Sequence, residues 1–274
     1  MKKILISLFL ILALLLCGCG MEEISQTAAA TVPVSGDSLT VHFLDAGQAD
    51  CTLLECGGKY MLLNGGIGQD AESVVSYLWE QGVRELSAVI CTHANEEYAG
   101  GVSPILAEFP VETLYIPADA QAAQWQEVQN GSLQPGDVLF LNWAEITALG
   151  PADEASLVLR VEYGESSFLF VGVGKAAAEN DMPDFRENAE RFDADVLKVC
   201  GQDADTSGIS LILNAADPDY GVISAGGDVC GEVLEEAGVT VFRTDRLGTV
   251  AALADGKEIT FTWTVRASAS AAGK

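Results

Sequence analysis

The stretch AVICTHANEEYAGG, residues 88–101, runs from an apolar strand through a loop into the predicted start of a helix. A loop in this position suits a metal centre, because a zinc centre needs three or four His, Cys or carboxylate groups that converge on one point. His93 and Glu97 are ligand types, whereas Asn95 offers a neutral amide and Tyr98 a phenol. The stretch therefore has the frame of a zinc-binding loop from which most of the ligands have been lost.

Predicted strands and helices alternate on both sides of this stretch, in two similar halves. Short apolar runs between glycine and polar residues predict strands at 39–44, 51–56, 60–63, 86–91, 111–116, 138–141, 145–149, 157–163, 167–171, 196–199, 220–224, 240–243, 250–253 and 258–264. Helical patterns occupy 70–81, 101–109, 120–129, 175–192, 209–215 and 231–237. Two such halves predict two sheets that pack together and are covered by helices, an α/β architecture.

A series of motifs in one order extends over residues 39–253. They are VHFLDAGQAD (41–50), LLNGG (62–66), AVICTH (88–93), GG (100–101), GP (150–151), SLVLR (156–160), FLF (168–170), DVLKV (195–199), YGVIS (220–224), FRTD (242–245) and GT (248–249). The series resembles the metallo-β-lactamase-fold family, and within it the exported hydrolase-like domains related to the soluble domain of competence-type DNA-uptake proteins. The resemblance implies a single domain with a four-layer αββα sandwich.

In active members of that family the corresponding loops hold one or two zinc ions, which activate water near neutral pH. The resemblance places these residues at the ligand positions: His93, Asn95, Glu97, Tyr98, Val173, and Gly201 or Gln202. Val173 stands in place of a bridging Asp, and Gly201 or Gln202 stands in place of a His. We therefore expect vestigial positions with no metal, no other cofactor and no catalytic residue.

A rewired site is the alternative to a lost one. One zinc ion would find nitrogen, oxygen and sulfur donors if the fold brought together His93, Glu97, Asp50, Cys200 and Cys230. Cys200 and Cys230 would otherwise form a disulfide or remain two unrelated thiols, and we favour the thiols because sequence spacing does not establish the required geometry. Cys56 and Cys91, in predicted strands, are expected to be core side chains.

The N-terminus predicts export. Lys2 and Lys3 precede an apolar run, residues 4–16, that is too short for a transmembrane helix and is typical of a signal peptide. LCGC, residues 16–19, resembles a bacterial lipoprotein cleavage site with Cys19 as the acylated residue, although a plain signal peptide or an uncleaved anchor is also compatible. Cys19 would then fix the protein to the outer face of the bacterial cell membrane through its lipid.

These features divide the chain into four predicted segments. Residues 1–18 are the lipoprotein signal peptide, and residues 19–37, rich in Ala, Ser, Thr and Gly, are the lipidated Cys19 and a flexible tether. Residues 38–265 are the metallo-β-lactamase-like domain, which is long enough to build a core of its own. Residues 266–274 are small and polar, and we predict a disordered tail.

The charge argues against nucleic acid as a partner. The chain has 14 Lys and Arg against 40 Asp and Glu, a formal net charge of −26. A protein that grips nucleic acid neutralises phosphates with basic side chains, and few are present here. The predicted partner is the membrane, through the N-terminal lipid, and the sequence leaves open which protein or small molecule the domain binds.

Two functions are compatible with these residues. The first is a membrane-anchored pseudoenzyme whose domain serves as a non-catalytic binding or interaction module, because a fold does not supply function once its site is lost. The alternative is a metal-dependent hydrolase of phosphoester type that uses a reduced or rewired single-metal site.

Overall fold

The computed structural model describes residues 38–117, 125, 127–150, 157–172, 188–200, 206–224 and 226–264. The predicted signal peptide, the tether with Cys19 and the predicted tail lie outside the described residues, as do Val173, Gly201 and Gln202. In the part of the chain that the structure describes, no helix is long and apolar enough to cross a membrane.

The first sheet contains eight strands within the described ranges. They are β1 (Leu39–Phe43), β2 (Thr52–Cys56), β3 (Lys59–Leu63), β4 (Leu86–Ile90), β5 (Val111–Tyr115), β6 (Asn130–Gly131), β14 (Val250–Ala254) and β15 (Ile259–Trp263). Their order is β15-β14-β1-β2-β3-β4-β5-β6. Strands β15 to β3 pair antiparallel and β3 to β6 pair parallel, so the sheet is mixed.

The second sheet contains seven strands within the same ranges. They are β7 (Val138–Leu141), β8 (Ala144–Gly150), β9 (Val158–Tyr163), β10 (Ser166–Val171), β11 (Val196–Cys200), β12 (Tyr220–Ser224) and β13 (Thr240–Arg243). Their order is β13-β12-β11-β10-β9-β8-β7. Strands β10 to β13 are parallel, and β7 to β10 are antiparallel. The carboxyl ends of β10, β11 and β12 therefore lie at one edge of this sheet.

Six α-helices accompany these strands in the described residues. They are α1 (Ala71–Glu80), α2 (Glu96–Ala99), α3 (Val102–Glu108), α4 (Thr206–Ala216), α5 (Asp228–Glu236) and α6 (Thr244–Leu247), with 3-10 turns at Gly68–Asp70 and Ala189–Arg191. The apolar positions of α1, Val74 and Leu78, are buried on one face.

Three large clusters of buried side chains fill the spaces between the two sheets and between each sheet and its helices. The central cluster lies between the sheets, where the rings of Phe43 and Phe170 stack with centroids 6.1 Å apart. A second cluster packs α1 and α3 on the first sheet, and a third packs α4 and α5 on the second. The predicted four-layer αββα sandwich is confirmed, since each sheet buries one face against the other sheet and one against helices.

The clearest departure from the predicted elements lies at residues 120–129. The described residues there, Trp125 and 127–129, are not α-helical. The Asn130 amide donates hydrogen bonds to the carbonyl oxygens of Trp125 and Val128, each 3.0 Å away, and so takes acceptors that a helix would use. Asn130 then opens β6, a strand that the pattern did not predict.

The other boundaries differ less. Helix α4 begins at Thr206, ahead of the predicted 209, and includes Gly208, because the apolar face of the helix is buried against the second sheet and packing outweighs helix propensity. Of the predicted helix 175–192, residues 173–187 lie outside the described ranges, and the part that is described ends in the 3-10 turn Ala189–Arg191.

Candidate functional site

The loop with the vestigial ligand positions, residues 92–101, is called the ligand loop below. It lies at the edge of the sandwich where β4, β10, β11 and β12 end. His93 follows β4, Gly172 follows β10, and Cys200 and Ser224 are the last residues of β11 and β12. The His93 ring rests on the backbone of Gly172, where an added Cβ would lie 2.1 Å from Cε1 of the imidazole. Only glycine at residue 172 leaves room for His93 in this position.

The frame of the loop is held by backbone contacts. The Gly65 amide donates to the Tyr98 carbonyl oxygen at 2.6 Å, and the Gly101 amide donates to the Gly66 carbonyl oxygen at 2.9 Å. A Cβ at residue 101 would lie 2.0 Å from the Gly65 carbonyl oxygen. The glycine pair that ends the loop is therefore required by close packing of two chain segments, independently of any metal.

Of the predicted ligand positions, Asn95 is exposed and Glu97 makes a contact through its backbone. Asn95 is exposed at the start of α2, and its side chain does not cap the helix. The Glu97 carbonyl oxygen accepts a hydrogen bond from the Asp50 amide at 3.0 Å. The neighbouring Glu96 carboxylate accepts from the Gly68 amide, also at 3.0 Å. These contacts attach α2 to the loop after β1 and to the 3-10 turn after β3.

His93 and Tyr98 stack on each other. Their ring centroids are 4.2 Å apart with the planes tilted by 32°. The Thr92 hydroxyl lies 2.9 Å from Nδ1 of His93. Tyr98 is buried and touches Cys200, and burial, followed by the nearby Cys200 and Asp50, raises the pKa of its phenol far above the ordinary value. Residue 98 is thus a neutral aromatic partner for His93.

A buried lysine lies beside this stack. Lys198 is only 2% exposed, and its ammonium lies 2.6 Å from Oδ1 of Asp50. Its Nζ also donates to the Ser224 hydroxyl at 2.9 Å, and that hydroxyl donates to the same Asp50 oxygen at 3.0 Å. Lys198 belongs to β11 of the second sheet and Asp50 to the loop between β1 and β2 of the first. The ion pair therefore joins the two sheets.

The other oxygen of Asp50 is also bound by the protein. The Asn64 amide donates to Oδ2 at 2.9 Å, and the oxygen of the same Asn64 side chain accepts from the amide and the hydroxyl of Thr92 at 2.8 and 3.0 Å. Asn64 adopts a positive φ of 62°, a conformation that asparagine tolerates better than most residues. Both carboxylate oxygens of Asp50 therefore accept hydrogen bonds from the protein.

Little space remains around this network. The cavity has a volume of about 10 Å³, room for about one water molecule. It is lined by Asp50, Leu63, Asn64, Thr92, Phe170, Val171, Gly172 and Lys198.

The side-chain donors around His93 do not fit the zinc centre that the family resemblance implies. His93 supplies imidazole nitrogens, but its neighbour Tyr98 is a neutral buried phenol and Asp50 is held by an ammonium. Over the described ranges, no three His, Cys, Asp or Glu side chains lie together so as to hold a metal ion.

The two cysteines considered for a rewired site belong to different clusters of buried side chains. Cys200 contacts Tyr98 at the end of β11, whereas Cys230 belongs to the cluster beneath α4 and α5. Burial, with a contribution from Cys200, raises the pKa of the Cys230 thiol to about 11. All five cysteines of the domain are buried thiols, and Cys56 and Cys91 are core side chains as predicted.

Sequence reasoning missed two residues that fill the pocket, Lys198 and Ser224; Asn64 stands in the LLNGG motif where the resembling family has an acid, but its hydrogen bonds to Asp50 and Thr92 were not predicted. One signal was available. Lys198 stands in VLKVC, an otherwise apolar strand between buried neighbours, and lysine is almost never fully buried without a partner. That signal predicts a partner for Lys198, although it does not say which carboxylate is reached across the two sheets.

Comparisons with known proteins agree with the fold. A family model described as the metallo-beta-lactamase superfamily matches residues 44–226. ComE operon protein 3 of Bacillus subtilis (strain 168) is 26% identical over 202 residues, which cover 65% of this chain and 26% of that protein. Competence protein ComA of Neisseria gonorrhoeae is 26% identical over 198 residues, covering 71% and 28% respectively. The chain thus spans about a quarter of the length of these curated relatives.

A solved structure shares the fold. The metallo-beta-lactamase fold protein YhfI from Bacillus subtilis superposes with a TM-score of 0.54 at 15% identity, covering 75% of this chain and 96% of that one. At this level of identity the likeness concerns the fold alone.

Proposed function

The chain belongs to the metallo-beta-lactamase superfamily, and we propose that it is a membrane-anchored lipoprotein whose domain is a non-catalytic binding or interaction module. Its domain is related to competence proteins, but it matches only about a quarter of their length. What the longer relatives do therefore does not transfer to this chain as a whole.

The donor chemistry at the corner of the sandwich that holds His93, Tyr98 and Asp50 supports this proposal. A family-type centre needs several anionic or imidazole donors around one point. Here the His93 ring packs on a buried phenol, and the carboxylate of Asp50 is paired with the ammonium of Lys198. A divalent cation at this corner would have to displace that ammonium. It would also have to break the hydrogen bonds from Ser224 and Asn64.

The proposed anchor and partners rest on the sequence. LCGC at residues 16–19 supports acylation of Cys19. A diacylglyceryl group together with an amide-linked acyl chain on Cys19 would give durable membrane attachment, which a single chain does not. The net charge of −26 supports a protein or small-molecule partner over nucleic acid. On this proposal the module works at the outer face of the cell membrane.

Metal analysis of the purified full-length protein tests the non-catalytic role. We expect less than about one-tenth of an equivalent of zinc, manganese or iron after dialysis, and no turnover of bis(p-nitrophenyl) phosphate. The comparison is between His93→Ala and His42→Gln, which removes the other histidine of the domain away from the loop. Stoichiometric metal that is lost in His93→Ala but kept in His42→Gln would favour the single-metal hydrolase instead.

Acylation is tested separately in a bacterial host that is fed radiolabelled palmitate. We expect label and membrane fractionation for the native chain and for Cys17→Ser, and loss of both for Cys19→Ser. Label retained in Cys19→Ser, or absent from the native chain, rejects the lipoprotein.

A further inference from the structure

We propose that a cleft at the opposite edge of the sandwich binds a small primary-amine cation. The cleft has a volume of about 280 Å³, and its lining includes Ser166, Asp195, Asp219, Tyr220 and Glu258. It shares no lining residue with the cavity at the vestigial ligand loop. Binding at the cleft is therefore independent of any metal at the ligand loop.

The topology places this cleft at the amino ends of the parallel strands. Ser166 is the first residue of β10, Asp195 precedes β11 and Asp219 precedes β12. Because β10, β11 and β12 run parallel, their carboxyl ends, where Cys200 and Ser224 lie, are at the other edge. The turn between β14 and β15 supplies Glu258 from the other sheet, so the cleft opens between the two sheets.

A buried hydroxyl at the cleft points to a ligand that can form a hydrogen bond with it. Ser166 is 2% exposed, and its Oγ has no hydrogen-bond partner among the described residues. Phe168 and Phe170, two and four residues along the same strand, lie in the core between the sheets, so Ser166 also faces that space. Buried polar groups in native structures nearly always have a partner, and a ligand in the cleft would supply one.

The charges favour a cation. Asp195, Asp219 and Glu258 bring three carboxylates to the lining against the single ammonium of Lys257. Asp219 and Glu258 are exposed and Asp195 is half-buried, while the net charge of −26 adds a negative field around them. These carboxylates attract a positively charged ligand from solvent.

The spacing of the carboxylates favours an organic cation over a bare metal ion. Within the described ranges, no three acidic, His or Cys side chains converge as metal ligands do. An ammonium group carries three N–H donors on a longer molecule and can reach Ser166 and separated carboxylates together. Tyr220 adds an aromatic wall, and its ring is held by Phe261 with centroids 4.8 Å apart.

Hydrogen bonds hold the rim of the cleft before any ligand arrives. Oδ2 of Asp195 accepts from the amide and hydroxyl of Ser167 at 2.7 and 2.9 Å. Across the cleft, Oδ1 of Asp255 accepts from the amides of Lys257 and Glu258, both at 2.9 Å. A preorganised rim loses less freedom on binding, which favours a small ligand.

The experiment is a calorimetric titration of the full-length protein in EDTA with 1,5-diaminopentane. Its neutral counterpart, 1,5-pentanediol, is the matched control, and Nα-acetyl-lysine amide represents a lysine side chain of a partner. We expect the diamine or the lysine amide to bind about tenfold or more tightly than the diol, because only they carry charge. The diamine alone would indicate a free amine as ligand, and the lysine amide alone would indicate a protein side chain.

Variants separate the cleft from general attraction to an acidic protein. Asp219→Asn and Glu258→Gln, both at exposed positions, should each weaken binding by about threefold or more, and Ser166→Ala should weaken it as well. Glu236→Gln, which removes an exposed carboxylate on α5, is the control and should change nothing. Equal binding of the diol, no binding of either amine, or equal weakening by Glu236→Gln overturns the proposal.

Discussion

The ammonium of Lys198 lies 2.6 Å from the Asp50 carboxylate, and this contact ties β11 of one sheet to the β1–β2 loop of the other. Ser224 and Asn64 complete the hydrogen bonding of the carboxylate. A buried charge pair of this kind is costly to assemble but very costly to break, because the partner left behind is an uncompensated charge. Where the family resemblance implies a metal ion, the ammonium of Lys198 pairs with the carboxylate of Asp50.

Replacing the lysine tests this role. Lys198→Met should lower the free energy of unfolding by about 3–5 kcal/mol, because Asp50 then stays buried without its counter-charge. Urea unfolding followed by circular dichroism measures the loss. The double variant Lys198→Met with Asp50→Asn should recover part of it, and Lys59→Met, which breaks the exposed pair with Glu85, should have no measurable effect. Equal losses in Lys198→Met and Lys59→Met would contradict the structural role of the buried pair.

Substitution of Gly101, the second glycine of the pair that ends the ligand loop, tests the close packing of this loop. Gly101 has an ordinary φ of −79°, but an added Cβ would lie 2.0 Å from the Gly65 carbonyl oxygen. Gly101→Ala should therefore destabilise the domain by about 1–3 kcal/mol through steric overlap, as measured by urea unfolding.

Gly231 is the matched glycine for this experiment. It lies in α5, and the nearest atoms to an added Cβ are 3.8 Å away. Gly231→Ala should be neutral or stabilising by about 0.5–1 kcal/mol, because alanine favours the helix. If both alanine variants unfold at the same urea concentration as the native protein, Gly101 does not approach the Gly65 carbonyl oxygen as closely as described.

The strand pattern could be read from sequence where short apolar runs end at turn residues. Strands 220–224 and 240–243 were predicted with their observed bounds, because glycine and polar residues flank compact β-branched and aromatic runs. Of the helix predicted over residues 120–129, the described residues, Trp125 and 127–129, are not α-helical, and the Asn130 side chain takes the carbonyl oxygens of Trp125 and Val128 as acceptors. Such local competition depends on geometry that periodicity does not contain.

The site was predictable only in outline. The loop motif identified His93, Asn95, Glu97 and Tyr98 because they are close in sequence. The partner of Lys198 could not be found this way, since Asp50 is 148 residues distant and is reached only when two sheets pack together. Pairwise packing across layers is a property of the tertiary fold, and no pattern of period 2 or 3.6 encodes it.

The domain's thiols should be inert in the folded state. Burial raises the pKa of Cys230 to about 11 and that of Cys91 to about 12, so few thiolates are present near neutral pH and solvent does not reach them. Ellman's reagent at pH 8 should label the native domain slowly, and urea should release all five thiols for rapid reaction. An Ala94→Cys variant, at an exposed position in the loop, supplies a sixth thiol that should react at once without urea. Rapid reaction of the native domain with no added cysteine would contradict the burial of these groups.

The stability of the domain should fall in acid partly through Asp245. Its carboxylate accepts two hydrogen bonds from the Arg243 guanidinium, at 2.9 and 2.7 Å, and this contact lowers the pKa of Asp245 below its ordinary value. A carboxyl with a lowered folded-state pKa adds stability above the unfolded-state pKa of about 3.9, and that stability is lost as the pH falls through the folded-state value.

Urea unfolding at pH 7, 5, 4 and 3 measures this dependence in native protein and in Asp245→Asn. The variant should be less stable at pH 7, with a smaller further loss between pH 4 and 3, because it has no carboxylate to protonate at this position. Arg243→Gln removes the same contact from the other side, and it should flatten the profile in the same pH range. A native profile that runs parallel to both variants below pH 4 would show that the Arg243–Asp245 pair does not contribute to acid sensitivity.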